Sequence, residues 1–85
     1  MTNFAAAERD VHDRGDLVRL ISQIAKDFRN HSDDWENVTV DAFLEALSAW
    51  LEDADGLYQN LNKEFPAQPT WSFVAEMVLA ARIYE

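Results

Sequence analysis

Two histidines and seven serines and threonines are the residues that we consider first for proton transfer or nucleophilic catalysis. His12 and His31 do not form an HExxH or HxxxH pair, the spacing that places two imidazoles on one helix face. Each lies at or near the end of a predicted helix, so we interpret both as solvated or capping residues. None of the serines and threonines lies in the G-x-S-x-G setting of a nucleophile elbow. A phosphate-binding loop needs several clustered glycines, whereas Gly15 and Gly56 are far apart.

The segment from Asp53 to Gly56 invites comparison with a calcium-binding loop. With Gly56 at loop position 6, Asp53 and Asp55 fall at positions 3 and 5. Position 1 is then Leu51, and position 12, which should be a bidentate glutamate, is Asn62. Because both of these key ligands are missing, we reject a calcium site of the EF-hand type.

Other carboxylates are interpreted as surface groups. The run that contains Asp33, Asp34 and Glu36 is typical of a solvated segment rather than a divalent-cation site. Glu52 and Asp53 suit acid–base catalysis only if burial or a close like charge raises a pKa, and their predicted place is on an exposed helix face. The sequence therefore predicts no catalytic residue, no metal site and no cofactor, and a protein that is not an enzyme.

Length and composition bound the architecture that must position these groups. Eighty-five residues give one domain with one core, and 48% hydrophobic residues argue against disorder. Without cysteine there is no disulfide and no thiolate zinc site. The first ten residues lack the apolar region of a secretion signal, and no apolar stretch approaches the roughly 20 residues of a membrane span. By elimination, we expect a cytoplasmic protein.

The net charge of −9 is concentrated in one part of the chain. From residue 30 to residue 62 there are eight acidic residues and no Lys or Arg, whereas the remainder holds eight acidic and seven basic residues. Such a field repels nucleic acid and anionic membranes and favours a basic protein partner. We therefore expect no nucleic-acid and no membrane binding.

Two amphipathic helices are predicted first. Asp13 and Asp16 resemble a capping box before a helix over about residues 14–29, whose apolar stripe consists of Leu17, Leu20, Ile21, Ile24, Ala25 and Phe28. After a polar loop over residues 30–37, Thr39 is the predicted N-cap of a second helix, which Gly56 weakens or ends. Its broad apolar arc comprises Val40, Phe43, Leu44, Leu47, Trp50, Leu51, Ala54, Leu57, Tyr58 and Leu61. The opposite face carries Asp41, Glu45, Ser48, Glu52, Asp55 and Gln59.

A third helix begins after Thr70 and runs through Trp71 to Tyr84. Its apolar residues surround the axis, so we predict that it is either the central element or half of a symmetric dimer contact. Trp50 and Trp71 lie on apolar faces and are predicted core residues. Trp35, in the acidic loop, either folds back onto the bundle or stands out as an interface anchor.

These elements predict an all-α, small single-domain bundle of three main helices, with a short fourth helix at the N-terminus as an option. Residues 1–12 form either a short helix or a flexible segment, and residues 13–85 form a single acidic helical domain.

An ordered set of short motifs adds a family resemblance. The set consists of Asp34–Asn37 (DWEN), Phe43–Leu47 (FLEAL), Ala49–Asp53 (AWLED), Thr70-Trp71, Ala80-Ala81 and Ile83–Glu85. It resembles an uncharacterised bacterial family of small acidic proteins with the pattern DWEN…LEALxxWLED…W…AAxxYE, over roughly residues 11–85. That family has no assigned activity, so the resemblance implies a domain but no site residues.

The leading functional hypothesis is a protein–protein interaction module, in the manner of an immunity or antitoxin protein that neutralises a basic enzyme. The alternative is a homo-oligomeric structural or housekeeping protein whose last helix makes a homodimer. The residues predicted to bind the partner are Asp33, Asp34, Trp35, Glu36, Asp41, Glu45, Glu52 and Asp55.

Overall fold

The computed structural model describes residue 4 and residues 6–85, and within that range the secondary structure is entirely helical. The three α-helices are α1 (Arg14–His31), α2 (Val40–Asn60) and α3 (Trp71–Ala81). Two short 3₁₀ helices, Ala7–Asp10 and Ser32–Asp34, lie on either side of α1. The predicted all-α bundle of three main helices is thus confirmed. The first 3₁₀ helix falls in the segment 1–12, of which residues 1–3 and 5 lie outside the described residues.

Each α-helix begins at the predicted cap. The side chains of Asp13, Thr39 and Thr70 accept hydrogen bonds from backbone N–H groups three residues further on, at 2.7, 3.2 and 3.0 Å. Such bonds satisfy donors that the helix itself leaves unpaired. The return bond of the predicted capping box differs, because Asp16 accepts from the backbone N–H of His12 rather than that of Asp13.

The end of α2 corrects the expectation for Gly56. The helix continues through Gly56 and ends at Asn60, where Asn62 takes a left-handed conformation with φ of 55°. The N–H of Lys63 then donates to the carbonyl of Tyr58 at 2.8 Å. This is a Schellman motif with asparagine in the position that usually holds glycine.

The third helix is the central element, as one of the two alternatives predicted. It packs against α1, α2 and the first 3₁₀ helix. Ala75 and Leu79 join the core on the side of α1, whereas Phe73 joins Trp50 and Ala54 on the side of α2. These two groups point in opposite directions from the axis of α3, so the helix shares its apolar circumference between two partners.

The exposure of Trp71 corrects the predicted core, and the apolar stripe of α1 is only partly buried. Trp71 is 44% exposed, because it begins α3 directly after a connector whose residues are nearly all exposed. In α1, Leu17, Leu20 and Ile24 are buried, while Ile21 and Ala25 are exposed. Since α1 packs mainly on α3, only a narrow strip of its apolar face is covered. The last predicted helical residues, Ile83 and Tyr84, lie beyond the end of α3.

Candidate protein-binding surface

The apolar side of α2, formed by the predicted arc together with Ala46, contains two groups of residues with different surroundings. Its inner face (Ala46, Trp50 and Ala54) is buried, and Trp50 contacts the ring of Phe73 with centroids 5.7 Å apart. Beside it runs a second line of apolar residues, which we name the outer stripe (Val40, Leu44 and Leu51). Their exposed fractions are 78%, 55% and 40%. Positions separated by four and seven residues lie along one side of a helix, so these side chains form a continuous apolar line.

A row of carboxylates borders the outer stripe. We name Asp41, Glu45, Glu52 and Asp55 the acidic ridge; all four are exposed and lie on one side of α2, next to the outer stripe and away from the inner face. Among the described residues the one ion pair within 4 Å joins Arg19 to Asp16, so the ridge carries its charge without a cationic neighbour. Hydrogen bonds from the Thr39 hydroxyl and from the backbone hold the pKa of Asp41 below its ordinary value.

A hollow of about 280 Å³ opens where α1 ends and α2 begins. Its lining is almost wholly apolar and includes Phe28, Trp35, Val40, Phe43 and Leu44. The rings of Phe28 and Trp35 meet edge to face with centroids 5.0 Å apart, and Trp35 stacks near Phe43 at 6.1 Å. The first half of the outer stripe therefore leads into a pocket with aromatic walls.

Trp35 is half-buried and combines the two predicted alternatives. It folds back onto the bundle, where its indole Nε1 donates to Oδ2 of Asp27 at 2.9 Å, while part of its ring lines the hollow. Asp27 is only 4% exposed, and its other oxygen has no hydrogen-bond partner among the described residues. The guanidinium of Arg82 lies 5.8 Å from the centre of the Trp35 ring. Burial lowers the pKa of Arg82, and the charge of Asp27 opposes that shift.

The remaining predicted residues lie around the start of α2. Asp33 and Asp34 belong to the second 3₁₀ helix and are exposed. Glu36 is exposed as well, but the side chain of Glu85 lies within hydrogen-bonding reach of it, and this like-charged neighbour raises the pKa of Glu36. The carboxylate of Glu36 therefore interacts with Glu85, beyond the end of α3, and is not part of the acidic ridge.

The eight predicted binding residues do not converge on one compact site. Asp33, Asp34 and Trp35 lie at the hollow end, whereas Glu52 is eleven residues beyond Asp41, or about 16 Å along α2 at 1.5 Å per residue. The arrangement is an elongated surface. The apolar residues of the outer stripe, together with Phe28 and Phe43, were predicted as members of apolar helix faces and not as part of this surface. For the residues of α2, the sequence did contain a sign of this surface: the predicted apolar arc is wider than one neighbouring helix can cover.

The motifs behind the family resemblance meet at the end of α3. The side-chain amide of Asn37 donates to the carbonyl of Ala81 at 2.9 Å and to that of Tyr84 at 2.8 Å. The hydroxyl of Tyr84 in turn donates to Asp53. Thus DWEN and AWLED both contact the end of the chain around Ala81 and Tyr84, which ties the segment before α2 and the middle of α2 to the end of the central helix.

The comparison with family models is decisive for classification. A model described as a family of unknown function, DUF7660, matches residues 13–85. The chain belongs to this family. The resemblance to an uncharacterised family is thereby confirmed, and membership brings no assigned activity with it. No curated protein and no solved structure matches the chain.

In residue 4 and residues 6–85, no three or more His, Asp or Glu side chains are grouped so that they could hold a metal ion. Within the same range, none of the helices has the length and apolar character needed to cross a membrane.

Proposed function

We propose that this chain is a non-enzymatic protein-binding module that binds a basic protein through α2. The observation that supports this most directly is the side-by-side arrangement of the exposed outer stripe and the acidic ridge. An apolar line gives contact area, and an adjacent row of like charges selects the sign of the partner. An immunity or antitoxin role, in which the partner is a basic enzyme, is the form of this function that we favour.

The charge distribution supports a basic partner over a second copy of the chain. Residues 30–62 contain eight acidic residues and no Lys or Arg, and this segment includes all of α2. Pairing two copies through α2 would bring two acidic ridges together, and like charges in contact cost several kcal/mol. A basic protein would instead be steered toward the ridge and associate faster at low ionic strength.

The exposure of the carboxylates supports binding rather than catalysis. Acid–base catalysis requires a carboxyl group in a partly desolvated cleft where its pKa is raised. Asp33, Asp34 and the four ridge residues are all exposed, and the hollow beside them is lined mainly by apolar side chains. A cytoplasmic location is part of the proposal, and the absence of cysteine is compatible with a reducing compartment.

The experiment compares two variants that lose the same charge. The ridge variant is Glu45→Gln, Glu52→Gln and Asp55→Asn, which spares Asp41 because Asp41 accepts from the capping residue Thr39 at 2.6 Å. The control changes three exposed acids elsewhere: Asp10→Asn, Glu64→Gln and Glu85→Gln. Proteins retained by the immobilised wild-type chain are identified, purified and measured for association rate at low and high salt.

The proposal expects a retained protein that is basic. At low salt its association with the ridge variant should be slower by about tenfold, with a much smaller change for the control. The difference between the variants should shrink at high salt because exposed charges are screened. The proposal fails if the retained protein is acidic, if nothing is retained specifically, or if both variants associate equally fast.

A further inference from the structure

We infer that the partner contributes an amphipathic helix, which lies over α3 between α1 and α2 and faces α2 with its basic edge. This inference rests on the proposed function and names the element that would occupy the surface. It follows from three features of the described residues: two exposed apolar stripes, an open side of the central helix, and walls of opposite charge.

The first feature is a second exposed stripe, on α1. Val18, Ile21, Ala25 and Phe28 are spaced at three, four and three residues and so follow one side of the helix. The first three are exposed and Phe28 is half-buried. Phe28 lines the same hollow as Leu44, so the stripe of α1 and the outer stripe of α2 both reach one end of the same surface.

The second feature is the open side of α3. Val74, Met77 and Val78 are only half-buried, and they lie between the sides of α3 that face α1 and α2. Val74 and Met77 line a second hollow of about 380 Å³ together with Leu51 of the outer stripe and the connector residues Phe65, Pro66, Ala67 and Pro69. The outer stripe therefore runs from the first hollow to the second, where the connector between α2 and α3 forms part of the wall. We place the groove between the outer stripe and the stripe of α1, with the apolar side of α3 as its floor.

A helix fits this groove better than an extended segment. The exposed apolar residues of both walls repeat with helical spacing, which matches the recognition mode in which a helix inserts anchors at i, i+3, i+4 and i+7 into a groove. An added strand needs an exposed sheet edge, and the described part of the chain is helical. A bound helix would pack against α3 as its fourth neighbour, in addition to α1, α2 and the first 3₁₀ helix.

The third feature sets the partner's charge. Along α2 the groove is bordered by the acidic ridge, whereas along α1 it is bordered by Lys26 and Arg29, both exposed. Cations on the partner helix are attracted by the first wall and repelled by the second. The basic edge must therefore face α2. Because reversing a helix on its apolar face exchanges its two edges, a helix with one basic edge can lie in the groove in only one of the two directions.

The probe is a synthetic helical peptide of about 18 residues, or five turns. It carries leucines along one face, lysines along one edge of that face and glutamines along the other. Two further peptides provide comparison: one with glutamates in place of the lysines, and one with the same composition as the first in scrambled order. Affinity for the full chain is measured by titration calorimetry.

The chain offers a closely matched pair of variants for this test. Leu44 and Leu61 are 55% and 54% exposed, but only Leu44 lies on the outer stripe. We expect Leu44→Gln to weaken binding of the leucine–lysine peptide by about tenfold, Leu61→Gln to leave it unchanged, and the two comparison peptides to bind at least tenfold more weakly.

The inference is overturned if Leu44→Gln and Leu61→Gln bind equally, or if the scrambled peptide binds as well as the ordered one. In that case a slower association of the ridge variant with a basic protein would still support the proposed function. Conversely, ordered peptides that bind through Leu44 with lysine or glutamate alike would support the groove but contradict a basic partner.

Discussion

The inner face and the outer stripe of α2 have the same apolar character but different surroundings. Ala46, Trp50 and Ala54 are buried against the rest of the bundle, whereas Val40, Leu44 and Leu51 remain between 40% and 78% exposed. Both belong to a single arc with helical period. The contrast shows that helical periodicity identifies an apolar face without showing how much of that face the rest of the fold covers. In the proposed function, the part that stays exposed is the part that contacts the partner.

The largest effect should come from the inner face. Trp50→Ala removes a buried ring from the core beside Phe73 and is expected to lower the free energy of unfolding by about 3–5 kcal/mol. Leu51→Ala, the adjacent residue on the outer stripe, should cost only about 1–2 kcal/mol, because Leu51 is already 40% exposed. Urea denaturation measures both. Similar losses for the two variants would mean that the division of α2 into two faces is wrong.

A smaller loss is expected behind the hollow. Trp35→Phe keeps an aromatic ring but removes the N–H that donates to the buried Asp27, and the stranded carboxylate should cost about 1–3 kcal/mol. In an Asp27→Leu background there is no carboxylate that could lose its hydrogen-bond donor, so Trp35→Phe should lower the free energy of unfolding by clearly less. Equal costs in both backgrounds, measured by urea denaturation, would show that this hydrogen bond contributes nothing.

A gain is expected on the solvent side of α2. A Cβ at Gly56 would meet no atom within 4 Å, and alanine is favoured over glycine inside a helix. Gly56→Ala should therefore raise the free energy of unfolding by about 0.5–1 kcal/mol. Thermal unfolding at fixed pH and salt measures the change. A loss of stability would indicate that the backbone of the chain needs glycine at this position.

The smallest effect on stability should be that of Leu44→Gln. Leu44 is 55% exposed, and substitutions at such positions usually change the free energy of unfolding by no more than about 0.5 kcal/mol. The same variant is expected to bind the leucine–lysine peptide about tenfold more weakly, so stability and binding would separate at one residue. Marked destabilisation would instead assign Leu44 to the core.

Local signals predicted the helices well but not their neighbours. Caps at Asp13, Thr39 and Thr70 depend on residues three positions away, and periodicity shows which face of a helix is apolar. Neither shows what covers that face. Hence Trp71 was assigned to the core, and the outer stripe was not separated from the inner face.

The contacts that close the fold join distant parts of the chain. Asn37 binds the carbonyl of Ala81, 44 residues away, and no local pattern predicts such a bond. The burial of Asp27 was missed for a related reason, because it depends on Trp35 returning to the end of α1. For the candidate surface, the negative charge could be predicted from the sequence. The adjoining apolar groove could not, because it depends on how α3 packs between α1 and α2.

The most direct test of α2 as a docking surface is the change in backbone amide chemical shifts when the leucine–lysine peptide is added to the isotope-labelled chain. We expect the largest changes around the two hollows, at Phe28, Trp35, residues 40–52, Val74 and Met77, with little change in the first 3₁₀ helix (Ala7–Asp10). Changes concentrated in that 3₁₀ helix, or no changes at saturating peptide, would contradict it.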